Sequence, residues 1–326
     1  MIVTLSIIAA LIPALFYVII IYWFDCYEKE PLWLLAAAFL WGAIPSILIA
    51  SVFNTLLSIP FELLVEGGTA EALSAALIAP PVEETAKGLA LLAIFFLWRN
   101  EIDSPLDGII YGAMVGMGFA MVENVFYFVE TFNSDGLEAW GINIFFRAVV
   151  FGLNHSLFTS MSGLGIAVSR MSKNTLTRFL APVTGWCLAM FLHFAHNASV
   201  SFDEALCFLA LIFDWGGVLL MLGIIVWSLV QERSWLRQYL AEEVAQGTLT
   251  DEQFRRVSSG RKRTAFNWGQ LRQNGFRAYR RAVGFQYLCS KLAYRKHHHE
   301  LFQDEKSLAD IAGLREQLVG LGPTVL

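Results

Sequence analysis

Seven stretches of the chain run almost unbroken through apolar residues, at about 3–24, 32–54, 72–98, 106–131, 142–167, 179–200 and 205–231. Each is long enough to cross a bilayer as a helix, which takes roughly 20 residues. Their connectors alternate in charge. The first, third and fifth carry Lys29, then Arg99, then Arg170, Lys173 and Arg178, whereas the second, fourth and sixth carry no Lys or Arg. Because basic loops stay on the cytoplasmic side, the pattern predicts an N-terminus outside and everything after the last span inside. An odd number of spans agrees with that. From Glu232 the long apolar runs give way to ordinary amphipathic patterning, with breaks near Gly247, Gly260 and Gly322. The expected fold is an all-α polytopic membrane protein of about seven transmembrane helices. A transmembrane domain would cover 1–231, and a small basic cytoplasmic helical domain 232–326.

Composition supports the lipid environment: of 326 residues 56% are hydrophobic and only 16% charged, far from the soluble average. The net charge of −5 hides an asymmetry, since the acids gather before residue 232 and the basic residues after it. The first apolar run, Met1 to Phe24, lacks a basic n-region and a small-residue cleavage site and reads as a retained span. Cys26, Cys187, Cys207 and Cys289 have neither paired nor metal-type spacing. Between Arg255 and Lys296 the basic residues mix with Phe266, Trp268, Phe276, Tyr279, Phe285 and Tyr287. That mixture suits contact with anionic lipid, and it suits a solvated positive-inside flank equally well. No nucleic-acid-binding motif accompanies it, so a nucleic-acid partner is not expected. His297, His298, His299 and Glu300 are adjacent, which on a helix points their side chains in different directions and argues against a metal site.

The polar residues inside the spans change the picture most. Glu83, Glu84, Lys87, Glu123, Arg147 and Asp214 lie within predicted spans, joined by His155, His193 and His196. Each ionisable side chain near a span's centre costs on the order of 2.5–3.5 kcal/mol, so the six charged ones must meet one another or water. Counted inward from the outer end of each span, Glu83, Glu84, Glu123, His155, His193 and Asp214 fall roughly 7–13 residues deep, a common level about 10–20 Å down. A shared level predicts one interior cavity. Pro80-Pro81 removes two backbone donors just ahead of Glu83 and Glu84, breaking the span where a wet or protein-lined site can tolerate it. Lys87, three and four residues on, reaches either carboxylate and can divide the pair between acid and base work. Gly108, Gly112, Gly116 and Ala120 form a small-residue face for close helix packing. His155 with Thr159, and His193 with Asn197, repeat a four-residue spacing that puts both members on one face. His196 falls off that face and reads as structural, while Asp214 and Arg147 are candidate supporting partners.

Taken in order, Glu83-Glu84-x-x-Lys87, Phe119-x-x-x-Glu123-Asn124, His155-x-x-x-Thr159 and His193-x-x-x-Asn197 resemble the PrsW intramembrane proteases, relatives of the type II CAAX prenyl endopeptidases. The resemblance covers about residues 72–200. It implies a multi-pass plasma-membrane endopeptidase that cuts a membrane-anchored, single-span protein substrate, such as an anti-sigma factor, on its extracytoplasmic side. Carried onto this chain, it makes Glu83 or Glu84 the base that activates water. Glu123 and His155 would position that water, and His193 with Asn197 would steady the oxyanion. The prenyl endopeptidase relatives have a histidine where Glu123 stands. This leaves open a glutamate mechanism or a divalent metal such as zinc, for which Glu123, His155 and His193 would be the ligands. Buried Glu and His chains also serve proton-coupled transporters, although no inverted repeat pairs the two halves of the chain. A catalytically inactive scaffold is the third reading.

Overall fold

A backbone in lipid must satisfy every N–H and C=O internally, and apolar runs of this length do so as helices. The computed structural model describes residues 1–65, 68–202 and 207–322. It is 91% helical, with no strand among the described residues. The chain divides into two compact units, Met1–Phe24 with Glu30–Ile225, and Asp25–Lys29 with Val226–Leu326.

The helices are α1 (Ile2–Phe24), α2 (Leu32–Leu64), α3 (Ala79–Leu97), α4 (Pro105–Ile144), α5 (Asn154–Met171), α6 (Thr175–Phe202) and α7 (Cys207–Ala245). Three turns of π-helix interrupt or join them: Gly42–Ser46 within α2, Ser74–Ile78 leading into α3, and Phe145–Val150 after α4. Five helical runs among the described residues are long and apolar enough to cross a membrane: Ile2–Phe24, Leu32–Leu64, Pro105–Met171, Thr175–Ser201 and Phe208–Ala245. Of the seven expected segments, three are not separate runs by this measure. The segment at 72–98 is helical but carries Glu83, Glu84 and Lys87, which make α3 too polar to count. The segments at 106–131 and 142–167 belong to one run of 67 residues. That run folds back at Gly136, whose φ of +83° a residue with a Cβ rarely adopts. In a straight helix Thr131 and Asn143 would stand roughly 18 Å apart, yet the Asn143 amide donates to Thr131 Oγ1 at 2.7 Å. The start expected for the last span, at 205–206, lies outside the described residues.

The glycine face of α4 packs directly on α5. A Cβ at Gly116 would fall on the His155 carbonyl oxygen, and one at Gly112 would come within 2.6 Å of the Thr159 carbonyl oxygen. With the backbones this close, Ser156 and Ser160 donate across to the carbonyls of Ala113 and Ile109 at 3.0 and 2.9 Å. The same contact fixes the height of His155 and Thr159 against α4. On the outer faces, Phe16, Leu48, Phe96 and Leu219 stay more than half exposed, as lipid-facing side chains do.

The second unit adds α8 (Asp251–Val257), α9 (Gly260–Phe302) and α10 (Glu305–Leu321) around Leu236, Leu240, Phe285, Leu292 and Leu318. Helix α9 is two helices joined at Gly275, where φ is +78°. Buried Glu243 accepts from Arg315 at 2.7 Å and from Lys296 at 2.8 Å. Burial pushes the Cys289 thiol well above its ordinary range, so it behaves as a small apolar group.

The α4–α5 contact yields a stability prediction. Gly112→Val forces the backbones apart and should cost about 1–3 kcal/mol of overpacking strain, read as a lowered thermal midpoint in detergent. A Gly141→Val control, at a glycine with open space around it, should leave that midpoint within about half a kcal/mol equivalent.

Candidate active site

Helix α3 begins at a proline pair, so its first turn is loosely tied to the chain before it and carries Glu83 and Glu84 inward. The freed backbone is caught elsewhere. The Asn197 amide donates to the Ala75 carbonyl at 2.8 Å, within the π-turn just ahead of the prolines. Asn197, expected beside the oxyanion, thus spends its donor on the main chain. From α2, the Trp41 indole and the Ser46 hydroxyl both donate to the Ala86 carbonyl, at 3.0 and 3.2 Å. Together these bonds fix the register of α3 between α2 and α6.

Lys87 is fully buried, and four groups surround its ammonium. It donates to Glu84 Oε1 at 2.7 Å and to His155 Nδ1 at 3.1 Å, lies 3.5 Å from Glu83 Oε2, and sits 3.8 Å from the centre of the Phe119 ring. Glu84 spends both oxygens. Oε2 accepts from the Thr159 hydroxyl at 2.9 Å, and Oε1 accepts from His193 Nδ1 at 3.1 Å as well as from Lys87. Glu83 is bound more loosely. Its Oε1 accepts from the Asn54 amide at 3.3 Å, while its buried Oε2 has no hydrogen-bond partner.

The histidine tautomers follow from these contacts. A carboxylate only accepts, so His193 Nδ1 carries the proton toward Glu84, and Nε2 keeps a lone pair 3.8 Å from Glu83 Oε2. His155 Nε2 donates in the same way to Glu123 Oε2 at 3.0 Å. Glu123 also takes Arg147 Nη2 at 2.5 Å, and Arg147 Nε donates to Asn124 Oδ1 at 2.9 Å. The fold-back at Gly136 is what brings Arg147 to Glu123, since 24 residues separate them.

The structure therefore brings together Glu83, Glu84, Lys87, Phe119, Glu123, His155, Thr159 and His193, with Asn124 one step behind. Among the described residues, the trio whose ligand atoms approach within 4.8 Å of one another is Glu83, His155 and His193. The set expected from the sequence had Glu123 in place of Glu83; Glu123 instead backs His155 and neutralises Arg147. Asn54 was missed, and its only signal is an amide at the end of an apolar run. His196, read as structural, and Asp214 form a second polar group. Asp214 Oδ2 accepts from His196 Nδ1 at 2.7 Å and from the Asn154 amide at 2.9 Å. In the second unit each of the three adjacent histidines has its own neighbour. His297 stacks on Trp235 at 4.1 Å, His298 meets the Ser307 hydroxyl, and His299 meets the Asp304 carbonyl.

Acids, imidazoles and a lysine enclosed by the apolar helices of a polytopic membrane protein are the equipment of a membrane-embedded hydrolase. A family model described as PrsW family intramembrane metalloprotease matches residues 30–243, and the chain belongs to that family. It is thus an intramembrane protease. Protease PrsW of Geobacillus kaustophilus (strain HTA426) is 30% identical over 178 residues, 52% of this chain and 68% of the relative. Protease PrsW of Clostridioides difficile (strain 630) is 32% identical over 150 residues, covering 46% and 60%. That of Shouchella clausii (strain KSM-K16) is 28% identical over 198 residues, covering 60% and 83%. No solved structure matches the chain.

The ammonium at the centre gives a direct test of coupling. Lys87→Met should cost about 3–5 kcal/mol by leaving buried carboxylates uncompensated. Adding Glu84→Gln should recover part of that loss in a double-mutant cycle, followed by unfolding in detergent. Strictly additive losses would mean that the pair is not coupled.

Proposed function

We propose that this protease hydrolyses a peptide bond of a membrane-anchored, single-span protein, with Glu83 as the base that activates water. The observation that carries the reading is the facing pair of unspent lone pairs, Glu83 Oε2 and His193 Nε2, 3.8 Å apart in a buried site. A water between them can donate to both. As its oxygen bonds to the scissile carbonyl carbon, Glu83 Oε2 takes the proton and passes it to the leaving nitrogen as the C–N bond breaks. Glu84 does not compete for that role, because Lys87, His193 and Thr159 occupy its oxygens. It holds the Lys87 ammonium and His193 in place. The positive charge of Lys87 opposes the negative charge that develops on the carbonyl oxygen. Glu123 orients His155.

The same residues fit a divalent cation such as zinc. Glu83, His193 and His155 would hold it, His155 through Nδ1 in place of its hydrogen bond from Lys87, and the Glu83 oxygen without a hydrogen bond is the kind of donor such an ion takes up. A metal there would supply Lewis-acid polarisation of the carbonyl. The chain would still orient the imidazoles through Glu84 and Glu123 and keep the site within protein, with Glu83 serving as a ligand instead of the base.

The membrane is a plasma membrane in this reading, with the N-terminus outside, the tail cytoplasmic and the bond cut on the extracytoplasmic side, as for an anti-sigma factor. The bond from Arg170 to the Arg99 carbonyl and the Trp33–Trp98 ring contact at 5.3 Å support the orientation. They tie the ends flanking the basic connectors to one another.

Purified full chain should cut a single-span reporter. Glu83→Gln should slow cleavage by roughly 10²- to 10⁴-fold, with comparable losses in Glu84→Gln and His193→Ala. Cleavage at the wild-type rate in all three would end this reading. Loss of cleavage on chelation, restored by zinc, assigns a metal mechanism; indifference to chelation in protein without bound zinc leaves Glu83 and water alone.

The tail is the further partner-binding element. Between Gln253 and His299 there are twelve Lys and Arg and no Asp or Glu. The bend at Gly275 leaves Phe276 63% and Trp268 54% exposed beside Arg272, Arg277 and Arg280. Contact with anionic lipid headgroups suits that surface, since each such residue near a charged leaflet contributes about 1 kcal/mol. In nanodiscs, replacing neutral lipid by a phosphatidylserine mixture should protect the Arg272–Arg281 segment from trypsin. High salt should remove the protection; equal cutting in both lipids would rule the contact out.

A further inference from the structure

Beside the catalytic groups lies a cavity of about 920 Å³, walled by the returning arm after Gly136 and by α6 and α7, with His155 and His196 in its lining. Its volume is that of a ligand site. Most of the wall is apolar, which suits the side chains of a membrane-spanning segment, but a peptide bond must leave its helix before it can be cut. Unwinding strips backbone N–H and C=O groups of their partners, and in lipid nothing else takes them up.

His196 answers that need. Asp214 Oδ2 accepts from His196 Nδ1 at 2.7 Å and from the Asn154 amide at 2.9 Å, so the ring is held in one orientation and one tautomer. Nδ1 carries the proton, and the lone pair of Nε2 is left to accept. A wall that met only apolar side chains would need no buried carboxylate to steer an imidazole. On the returning arm, Asn143 also lines the cavity; its amide nitrogen is spent on Thr131, and its Oδ1 has no partner. That oxygen is buried, so the acceptor left for an N–H donor in the cavity is His196. Phe158 separates His196 from the catalytic groups, with its ring centre 6.2 Å from that of His196 and 5.0 Å from that of His193. An extended chain, at roughly 3.3 Å per residue, covers that interval in about three residues.

We propose that this cavity receives the unwound segment of the protein substrate, and that His196, fixed by Asp214, accepts a hydrogen bond from one of its backbone N–H groups a few residues from the scissile bond. The proposal rests on the protease reading for the identity of the occupant. His196 binds the substrate in this scheme and takes no proton in the reaction.

The probes are two synthetic single-span peptides, one with a Gly-Pro break near one end of the span and one an uninterrupted Leu/Ala helix. Full chain carrying Glu83→Gln, silent in cleavage, is titrated with each in detergent. Adding His196→Ala should weaken binding of the broken peptide about tenfold, the worth of one such hydrogen bond, and leave the unbroken one unchanged. His196→Gln, which retains an acceptor, should recover most of the loss, and Asp214→Asn should weaken binding in the same sense. In the active chain His196→Ala should raise KM by a similar factor with kcat held within about threefold. Equal affinity for the broken peptide with and without His196 overturns the proposal. A fall in kcat at constant KM also overturns it, since His196 would then belong to the chemistry. If wild-type chain cuts neither peptide it is the protease reading that fails, and the binding comparison still decides the cavity.

Discussion

One buried ammonium organises the membrane unit. Lys87 is wholly enclosed, and an uncompensated charge at that depth is not stable in a bilayer. Its partners come from three helices: Glu83 and Glu84 from its own helix, Phe119 from α4 and His155 from α5. Through Glu84 it also reaches Thr159 and, on α6, His193. Four helices are thus held in register by a single cation and the carboxylate beside it. The charges nearly close: three carboxylates, Glu83, Glu84 and Glu123, face two cations, Lys87 and Arg147. Of these, Glu83 keeps one oxygen, 3.5 Å from the Lys87 ammonium, without a hydrogen bond.

Close packing turns that charge network into a rigid site. Glycines on α4 set α5 against it at backbone contact, so neither His155 nor Thr159 can slide relative to Phe119 without a clash. Arg147 depends on a different device, the reversal at Gly136, which returns the chain along α4 and carries the guanidinium to Glu123. His155 is therefore held from two sides, by Lys87 on Nδ1 and by Glu123 on Nε2, and Glu123 is itself held by Arg147. Fixed orientation of donors and acceptors is what a hydrolytic site in a low-dielectric medium needs, because nothing then has to reorganise as charge develops.

Much of this was legible in the sequence because the membrane makes polar residues expensive. The motif residues stood out against apolar runs, and their shared depth pointed to one cluster. What was hidden depended on backbone geometry. Ser134-Asp135-Gly136 falls in the connector expected between the spans at 106–131 and 142–167, whereas Asn274-Gly275, an ordinary turn sequence, carried no weight inside a long helical run, so the bend of α9 went unread. Arg147, read as a supporting partner on the span after that connector, pairs with Glu123. Asn197 shared a helix face with His193, as its spacing required, yet donates to a carbonyl that the π-turn exposes. Helical spacing gives the face of a residue and not the partner it finds. The exchange of Glu123 for Glu83 in the closest trio has the same origin, since depth along each helix was readable and rotation about its axis was not.

The three π-turns connect these points. A π-turn adds a residue to a helical turn and leaves main-chain groups to be satisfied from outside, a cost tolerated mostly at functional sites. Gly42–Ser46 contains Pro45, which has no N–H to give, and Ser46 in that turn reaches across to the Ala86 carbonyl beside Lys87. Ser74–Ile78 precedes Pro80-Pro81 and receives the Asn197 amide. Phe145–Val150 contains no proline and no glycine, yet it rotates Arg147 toward Glu123 and Asn124. Two of the three thus have a cause in proline chemistry, and the third is sustained by the ion pair it creates. Removing either partner of that pair takes away the compensation for the distorted helix as well as the contact itself, so the backbone between α4 and α5 and the orientation of His155 stand or fall together.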